Sequence, residues 1–162
     1  MDISELVEQN YEAAYRFAYR LSGTAHEAED LTQQAFLDAQ RKLDTLRDPE
    51  KARAWLFMIV RNLHRRRLRD RGTHREVAVN PALELSDGAE SVEATTLNSD
   101  ALQQILNELP AEFRDVLVLF YFRELSYREI AEQLDVPIGT VMSRLSRGKQ
   151  QLRGRLSTDD FP

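Results

Sequence analysis

The sequence contains no cysteine, few glycines and only three histidines among its 162 residues. Without cysteine the chain has no disulfides, no thiolate metal ligands and no cysteine nucleophile. The histidines His26, His64 and His74 are too scattered to suggest a metal site. No glycine-rich phosphate loop and no Ser/His/Asp set is present. We therefore expect no metal, no cofactor and no enzymatic activity.

Long apolar runs are also missing, since the longest spans the seven residues 116–122. Such a run is too short to cross a membrane, and the start of the chain does not resemble a signal peptide. The sequence thus predicts a cytoplasmic protein with no membrane segment. The propensities of residues 116–122 also suit a strand, but the helical periodicity of their neighbours favours a buried helix.

The net charge of −5 conceals an uneven charge distribution. Residues 61–75 hold seven arginines and one acid, and residues 138–155 hold four arginines, one lysine and no acid. Between these basic patches, residues 76–100 carry six acidic residues and no basic one. Because local potential governs contact with phosphates, this pattern indicates nucleic-acid binding. Each patch could instead be a solvated helix end.

Three amphipathic helices are predicted before residue 72. The first runs from about Ile3 to Leu21 and ends at Gly23, and the second starts at a Thr24/Glu27 capping box and reaches about Leu43. The third begins at Pro49, after Asp48 as N-cap, and continues to about Asp70. The predicted buried stripes are Val7, Tyr11, Ala14, Ala18 and Leu21, then Ala28, Leu31, Ala35 and Ala39, then Ala52, Leu56, Ile59 and Leu63.

Three features of these helices allow two interpretations. Phe36 and Leu37 make the outer face of the second helix apolar enough to meet a partner, although Phe36 could equally belong to the core. Trp55 could be a core residue or a platform for a ligand. The arginines that follow Asn62 could form a solvated helix end or follow a nucleic-acid backbone.

The second half of the chain predicts four more helices. Residues 72–99 lose the helical period and read as a flexible acidic linker. The period returns with Leu102, Ile105, Leu106 and Leu109, and Pro110 separates this helix from the next. We expect an all-α chain of two small helical domains, residues 1–71 and 100–157, followed by a tail at residues 158–162.

Leu125 to Leu156 has the pattern of a helix-turn-helix. Ser126 and Glu129 form a capping box, so the first helix starts at Tyr127. Asp135-Val136-Pro137 then forms a short turn. In the second helix an apolar stripe accompanies a polar stripe suited to phosphates and base edges. The apolar stripe is Ile138, Val141, Leu145 and Leu152, and the polar stripe is Thr140, Ser143, Arg144, Arg147 and Gln151.

With these motifs placed, the chain resembles the extracytoplasmic-function (ECF) class of bacterial RNA polymerase sigma factors over nearly its whole length. Several short motifs carry the resemblance, in the family's order and spacing. They are Glu29 to Gln33 with Phe36, Arg53, Trp55-Leu56, Ile59 and Arg61-Asn62, then Leu109-Pro110, Arg114, Leu125 to Tyr127, Glu129 to Ala131, Gly139 to Val141, Ser143 to Leu145 and Arg147.

The resemblance implies a role for each domain. The C-terminal domain would read the −35 promoter element, and the N-terminal domain would bind the clamp helices of the largest polymerase subunit and open the −10 element. The residues implied for −35 binding are Tyr127, Arg128, Gly139, Thr140, Met142, Ser143, Arg144, Ser146 and Arg147. Those implied for the −10 element and its backbone are Asp44, Thr45, Leu46, Arg47, Arg53, Trp55, Arg61, Asn62 and Arg65. Those implied for core polymerase are Asp30, Leu31, Gln33, Gln34, Phe36 and Leu37.

The resemblance also implies further partners. They are the polymerase flap, promoter DNA and an anti-sigma factor, while the acidic linker would thread toward the polymerase interior. Met142 and Ser146 depart from the family, which often has basic or aromatic residues at these positions.

Two other functions are compatible with parts of the sequence. A stand-alone helix-turn-helix regulator would use the N-terminal helices as a dimer or sensor domain, and it would bind DNA tightly without polymerase. An enzyme acting on nucleic acid would need a catalytic cluster that the sequence does not offer.

Overall fold

The computed structural model describes residues 1–72 and 99–159, with side chains up to residue 156. In these ranges it contains seven α-helices, two short 3-10 turns and no strand, which confirms the all-α prediction. The chain divides into two compact units, one with the first three helices and one with the last four. Residues 73–98 and 160–162, and with them nearly all of the predicted linker and most of the tail, lie outside the described residues.

The N-terminal unit is a three-helix domain in which every helix packs against the other two. Its helices are α1 (Ile3–Ser22), α2 (Ala25–Lys42) and α3 (Ala52–Asp70). Alanines on α1 and α2 let these helices approach closely, and larger side chains from all three fill the centre. The buried apolar residues are Leu6, Ala14, Phe17, Ala18, Leu21, Ala28, Leu31, Ala35, Phe36, Ala39, Ala52, Leu56, Phe57, Val60 and Leu63.

The buried face of α1 differs from the predicted stripe. Leu6, Asn10 and Phe17 point inward, whereas Val7 is half-buried and Tyr11 is 42 % exposed. The predicted and observed faces share Ala14, Ala18 and Leu21, but in the first half of the helix the buried residues Leu6 and Asn10 each lie one position before the predicted Val7 and Tyr11. Tyr11 still contributes to packing, because its ring stacks on Phe36 with 6.0 Å between ring centroids.

The starts of α2 and α3 also differ from the prediction. Thr24 caps α2 by accepting from the Glu27 amide, while the Glu27 carboxylate accepts from Arg71 Nη1 at 2.7 Å. Pro49 opens a 3-10 turn (Pro49–Lys51), and α3 begins only at Ala52. The turn forms because the Ala52 amide donates to the Pro49 carbonyl, three residues earlier.

The C-terminal unit consists of α4 (Ser99–Glu108), α5 (Ala111–Tyr121), α6 (Tyr127–Leu134) and α7 (Ile138–Asp159). The long helix α7 contacts each of the other three. Residues 116–121 are helical, so the helix prediction is confirmed over the strand alternative, and residues 116–119 are all buried. None of the described helices is long and apolar enough to cross a membrane.

The helix-turn-helix follows the sequence closely. Both hydrogen bonds of the Ser126/Glu129 capping box are present, and α6 starts at Tyr127 as predicted. Asp135 ends α6 in the left-handed conformation with φ 53°, and α7 starts three residues later. The prediction that Ile138 belongs to the buried stripe is wrong, because this first residue of α7 is 47 % exposed. Val141, Leu145 and Leu152 are buried as predicted.

Candidate nucleic-acid interface

The residues expected to contact the −35 element lie on two neighbouring elements. Tyr127 and Arg128 form the first turn of α6, and the others occupy the first three turns of α7, which packs against α6. Arg128 and Gly139 are exposed, and the side chains of Arg144 and Arg147 are half-buried. Thr140, Met142 and Ser146 are also half-buried. The tertiary structure therefore brings this predicted set together.

Ser143 differs from the rest of the set. It is buried, and its hydroxyl donates to the Gly139 carbonyl oxygen at 2.9 Å. A serine hydroxyl has a single proton to donate. In this conformation Ser143 therefore has no donor left for a phosphate, contrary to the expectation that it binds one.

The positive charge of α7 is concentrated after its first turn. Arg144, Arg147, Lys149, Arg153 and Arg155 all lie on this helix. Arg155 donates to Glu108 at 2.6 Å and so ties α7 to α4. The Arg144 Nε is buried and makes no hydrogen bond within the described residues, so the polar contacts of this guanidinium fall to its outer nitrogens.

An aromatic cluster that the sequence did not predict lies at the junction of α5, α6 and α7. The Phe120 ring lies against Tyr121 and Tyr127, at centroid distances of 5.0 and 5.5 Å, and Lys149 Nζ is 5.3 Å from the Phe120 centroid. Burial lowers the pKa of Lys149, assisted by the positive charge of Arg153, and burial raises the pKa of Tyr121. The cluster fixes the start of α6, including Tyr127, relative to α7.

In the N-terminal unit, two residues expected at the −10 backbone make contacts that restrict them. Arg61 is 3 % exposed and its Nη1 donates to Asn62 Oδ1 at 3.0 Å, so its side chain lies in the core, and its contact with the −10 backbone stays a prediction. Arg53 is exposed, but its Nε donates to Asn10 Oδ1 at 2.9 Å and its Nη2 to the Gln9 carbonyl at 3.1 Å.

The remaining −10 candidates are accessible. Asp44, Thr45 and Arg47 are exposed in the connection between α2 and α3, with Leu46 half-buried among them. Thr45 lies in a 3-10 turn (Leu43–Thr45), and its hydroxyl donates to the Lys42 carbonyl at 2.6 Å. On α3, Asn62 is exposed, whereas Trp55 and Arg65 are half-buried. Trp55 is thus neither a full core residue nor a free platform.

The candidate polymerase face of α2 separates into an outer and an inner part. Asp30, Gln33 and Leu37 are exposed, and Leu37 is 50 % exposed. Gln34 is partly buried and donates to Asp38 at 2.9 Å. Leu31 and Phe36 are buried in the core and are therefore not part of this surface. Their packing against the other helices holds α2 in place.

The described residues contain no group of three or more histidine, aspartate, glutamate or cysteine side chains that could hold a metal ion.

Comparison with protein-family models gives two matches, one in each unit. Residues 6–74 match the model of Sigma-70 region 2, and residues 99–152 match the model of Sigma-70, region 4.

Individual relatives and solved structures agree with these matches. The chain is 42 % identical to the ECF RNA polymerase sigma factor SigE of Mycolicibacterium smegmatis over 94 % of its own length and 61 % of that protein. It is 35 % identical to the ECF RNA polymerase sigma factor SigW of Bacillus subtilis, covering 94 % of this chain and 88 % of SigW.

Among solved structures, the sigma factor RpoE of Bartonella quintana, crystallised with the anti-sigma factor NepR, superposes with a TM-score of 0.72 at 28 % identity. That match covers 96 % of this chain and 97 % of RpoE. CnrH, in complex with the cytosolic domain of CnrY, superposes with a TM-score of 0.66 at 25 % identity over 98 % of this chain and 89 % of CnrH.

Proposed function

Because this chain belongs to the ECF class of RNA polymerase sigma factors, we propose that it binds core RNA polymerase and directs transcription initiation at specific promoters. One observation carries the proposal: a region 2 match and a region 4 match occur in this order in one chain, each on its own helical unit. A regulator that acts alone needs a DNA-binding unit but not a region 2 unit.

The C-terminal unit anchors the upstream end of the promoter. Its helix-turn-helix inserts α7 into the major groove of the −35 element, with Arg144 and Arg147 contacting bases or phosphates. Thr140 and the backbone amides at the start of α7 suit phosphate oxygens. Met142 and Ser146 offer no positive charge, so base selection rests mainly on the arginines.

The N-terminal unit opens the −10 element and does so without a covalent step. The exposed connection from Asp44 to Arg47 receives a flipped base, and Asn62 and Arg65 hold the strand beside it. Opening is driven by binding energy, because each contact is gained only by the separated strand. We therefore propose that the chain is an initiation factor without enzymatic activity.

The proposed partners follow from the surfaces. The outer face of α2, with Asp30, Gln33 and Leu37, docks on the clamp helices of the largest polymerase subunit, and the C-terminal unit meets the flap. An anti-sigma factor is a further proposed partner, since RpoE and CnrH were both solved in complexes, with the anti-sigma factor NepR and with CnrY. We propose a cytoplasmic location as well, because core polymerase and promoter DNA would be met there.

We also propose limits for the two domains and the linker. Residues 1–71 form the polymerase-binding and −10 domain, residues 100–157 form the −35 domain, and residues 72–99 link the two. The described helices are compatible with these limits, since α3 ends at Asp70 and α4 starts at Ser99.

Run-off transcription with purified core polymerase tests the proposal. A library of genomic promoter fragments is transcribed with and without the chain, and the transcripts are sequenced to find their start sites. We expect a set of start sites that depends on the chain and shares a −35 and a −10 motif. Replacing Arg147 by alanine should weaken these transcripts, and a chain that adds no start site to core polymerase would refute the proposal.

A further inference from the structure

Asn10 is a polar side chain inside the core of the N-terminal unit, where it is 4 % exposed. Its Nδ2 donates to the Leu6 carbonyl at 3.0 Å, and its Oδ1 accepts from Arg53 Nε at 2.9 Å. A buried amide oxygen without a donor would be strongly destabilising. Arg53 therefore supplies a hydrogen bond that the core needs.

A second hydrogen bond fixes the orientation of the same guanidinium. Arg53 Nη2 donates to the Gln9 carbonyl at 3.1 Å. Nε and Nη2 form the edge with which arginine grips a phosphate or carboxylate by two parallel bonds. In Arg53 this edge faces α1, so it is not available for such a grip on DNA.

The position of Arg53 in the chain links these hydrogen bonds to the connection between α2 and α3. Arg53 is the second residue of α3, and only Ala52 separates it from the turn Pro49–Lys51, which ends the connection from α2. The two bonds join the first turn of α3 to the middle of α1, across 43 and 44 residues of sequence. They thus hold one end of the loop to which we assigned capture of the −10 base.

We propose that Arg53 and Asn10 form a latch that positions the −10 loop, residues 43–51, and that Arg53 is a positioning residue and not a DNA ligand. This inference rests on the proposed function, because the loop has this task only if the chain opens promoters. Loss of the latch would leave the DNA-contacting side chains intact but let the loop shift, and small shifts strongly reduce strand capture.

The two possible roles of Arg53, positioning the loop or binding a phosphate, predict different effects of replacing Asn10. If the latch matters, Asn10→Leu and Arg53→Met each lower run-off transcription from a duplex promoter by roughly tenfold, and the double variant loses no more than either single one. Asn10→Asp keeps an oxygen acceptor for Arg53 but cannot donate to the Leu6 carbonyl, so its activity should lie between those of Asn10→Leu and wild type. The salt dependence of promoter binding should equal that of wild type in Asn10→Leu, Arg53→Met and the double variant.

If Arg53 instead binds a phosphate, Arg53→Met alone lowers promoter binding and reduces the salt slope by about 1, while Asn10→Leu has little effect. That outcome would overturn the latch. Arg16→Met, on the exposed side of α1, is the matched control and should behave as wild type. Urea unfolding of the full chain confirms that each variant is folded at the assay temperature. If Asn10→Leu is not folded, Arg53→Met still decides between the two roles, because only phosphate binding predicts a smaller salt slope for it.

The wild-type chain separates the two proposals. If it yields no promoter-dependent transcript with core polymerase, the proposed function itself fails. If wild type is active and Asn10→Leu is equally active, only the latch is wrong.

Discussion

Short-range hydrogen bonds between side chains and backbone amides determine where α1 and α6 begin. The Asp2/Glu5 and Ser126/Glu129 capping boxes fix the first turns of α1 and α6. The second of these places Tyr127 at the start of the helix-turn-helix. Glu124, just before it, has φ 53°, a left-handed conformation that is uncommon for a residue other than glycine.

The capping box of α6 should make the stability of the C-terminal unit depend on pH. The pKa of Glu129 is lowered because the Ser126 amide, and then the Ser126 hydroxyl, hydrogen-bond to its carboxylate. Since the folded state favours the charged form, the stabilisation is complete above the pKa of the unfolded chain and is lost as the pH falls through the lower pKa of the folded state. We expect Glu129→Gln, which cannot ionise, to lack this acid-sensitive contribution.

Urea unfolding at several values between about pH 6 and about pH 3 measures the difference. Glu132→Gln, on the same helix but outside the capping box, is the control and should keep the wild-type profile. Parallel pH profiles for wild type and Glu129→Gln would contradict the prediction.

At the scale of elements, α7 organises the C-terminal unit because it contacts α4, α5 and α6. Gly148 lies in its contact with α5. A Cβ atom at this position would lie 3.1 Å from Leu117 Cδ1 and 3.4 Å from Phe113 Cβ. An alanine at position 148 would therefore require Leu117 to move by a few tenths of an ångström, whereas a Cβ at Gly154 would have no described atom within 4 Å.

The two glycines form a matched pair for testing this packing. Gly154→Ala should stabilise the chain by about 0.5–1 kcal/mol, because alanine is the better helix former. Gly148→Ala gains the same propensity but must displace buried Leu117, so it should be less stable than Gly154→Ala by about 1–3 kcal/mol. Urea unfolding gives both values. Equal stability of the two variants would show that α5 yields at this contact.

At the scale of the whole molecule, the charge distribution limits what the chain does without polymerase. Its net charge is −5, although the described part of α3 and α7 is rich in arginine. Overall repulsion from DNA opposes the local attraction, and a single helix-turn-helix offers few phosphate contacts. Two anchoring units held on one polymerase gain from a high effective concentration.

We therefore expect the free chain to bind promoter DNA weakly at about 0.15 M salt and core polymerase to raise its promoter affinity by at least about a hundredfold. Fluorescence anisotropy of labelled promoter DNA, with and without core polymerase, measures this change. A scrambled −35 element serves as the control. Tight binding by the free chain to a two-fold symmetric site would instead support a stand-alone regulator.

The sequence by itself determined which segments are helices and most of where they start. Capping residues, prolines and apolar periodicity act over a few residues, so α6 and the break at Pro110 could be predicted without knowing the fold. The order and spacing of the motifs also identified the family. Local patterns could not show which residues in the first half of α1 face inward, because the buried face includes the polar Asn10, whose amide is satisfied by Arg53 of another helix.

Only the tertiary structure decided which candidate side chains are buried and which form hydrogen bonds within the protein. Arg61 looks like a surface contact in the sequence but lies in the core, and Ser143 donates its proton within its own helix. The Arg53–Asn10 pair and the Lys149 cluster join residues from different helices, so no local pattern announces them. Burial and hydrogen-bond partners depend on packing between helices, and this packing determines which of the many arginines remain available for DNA.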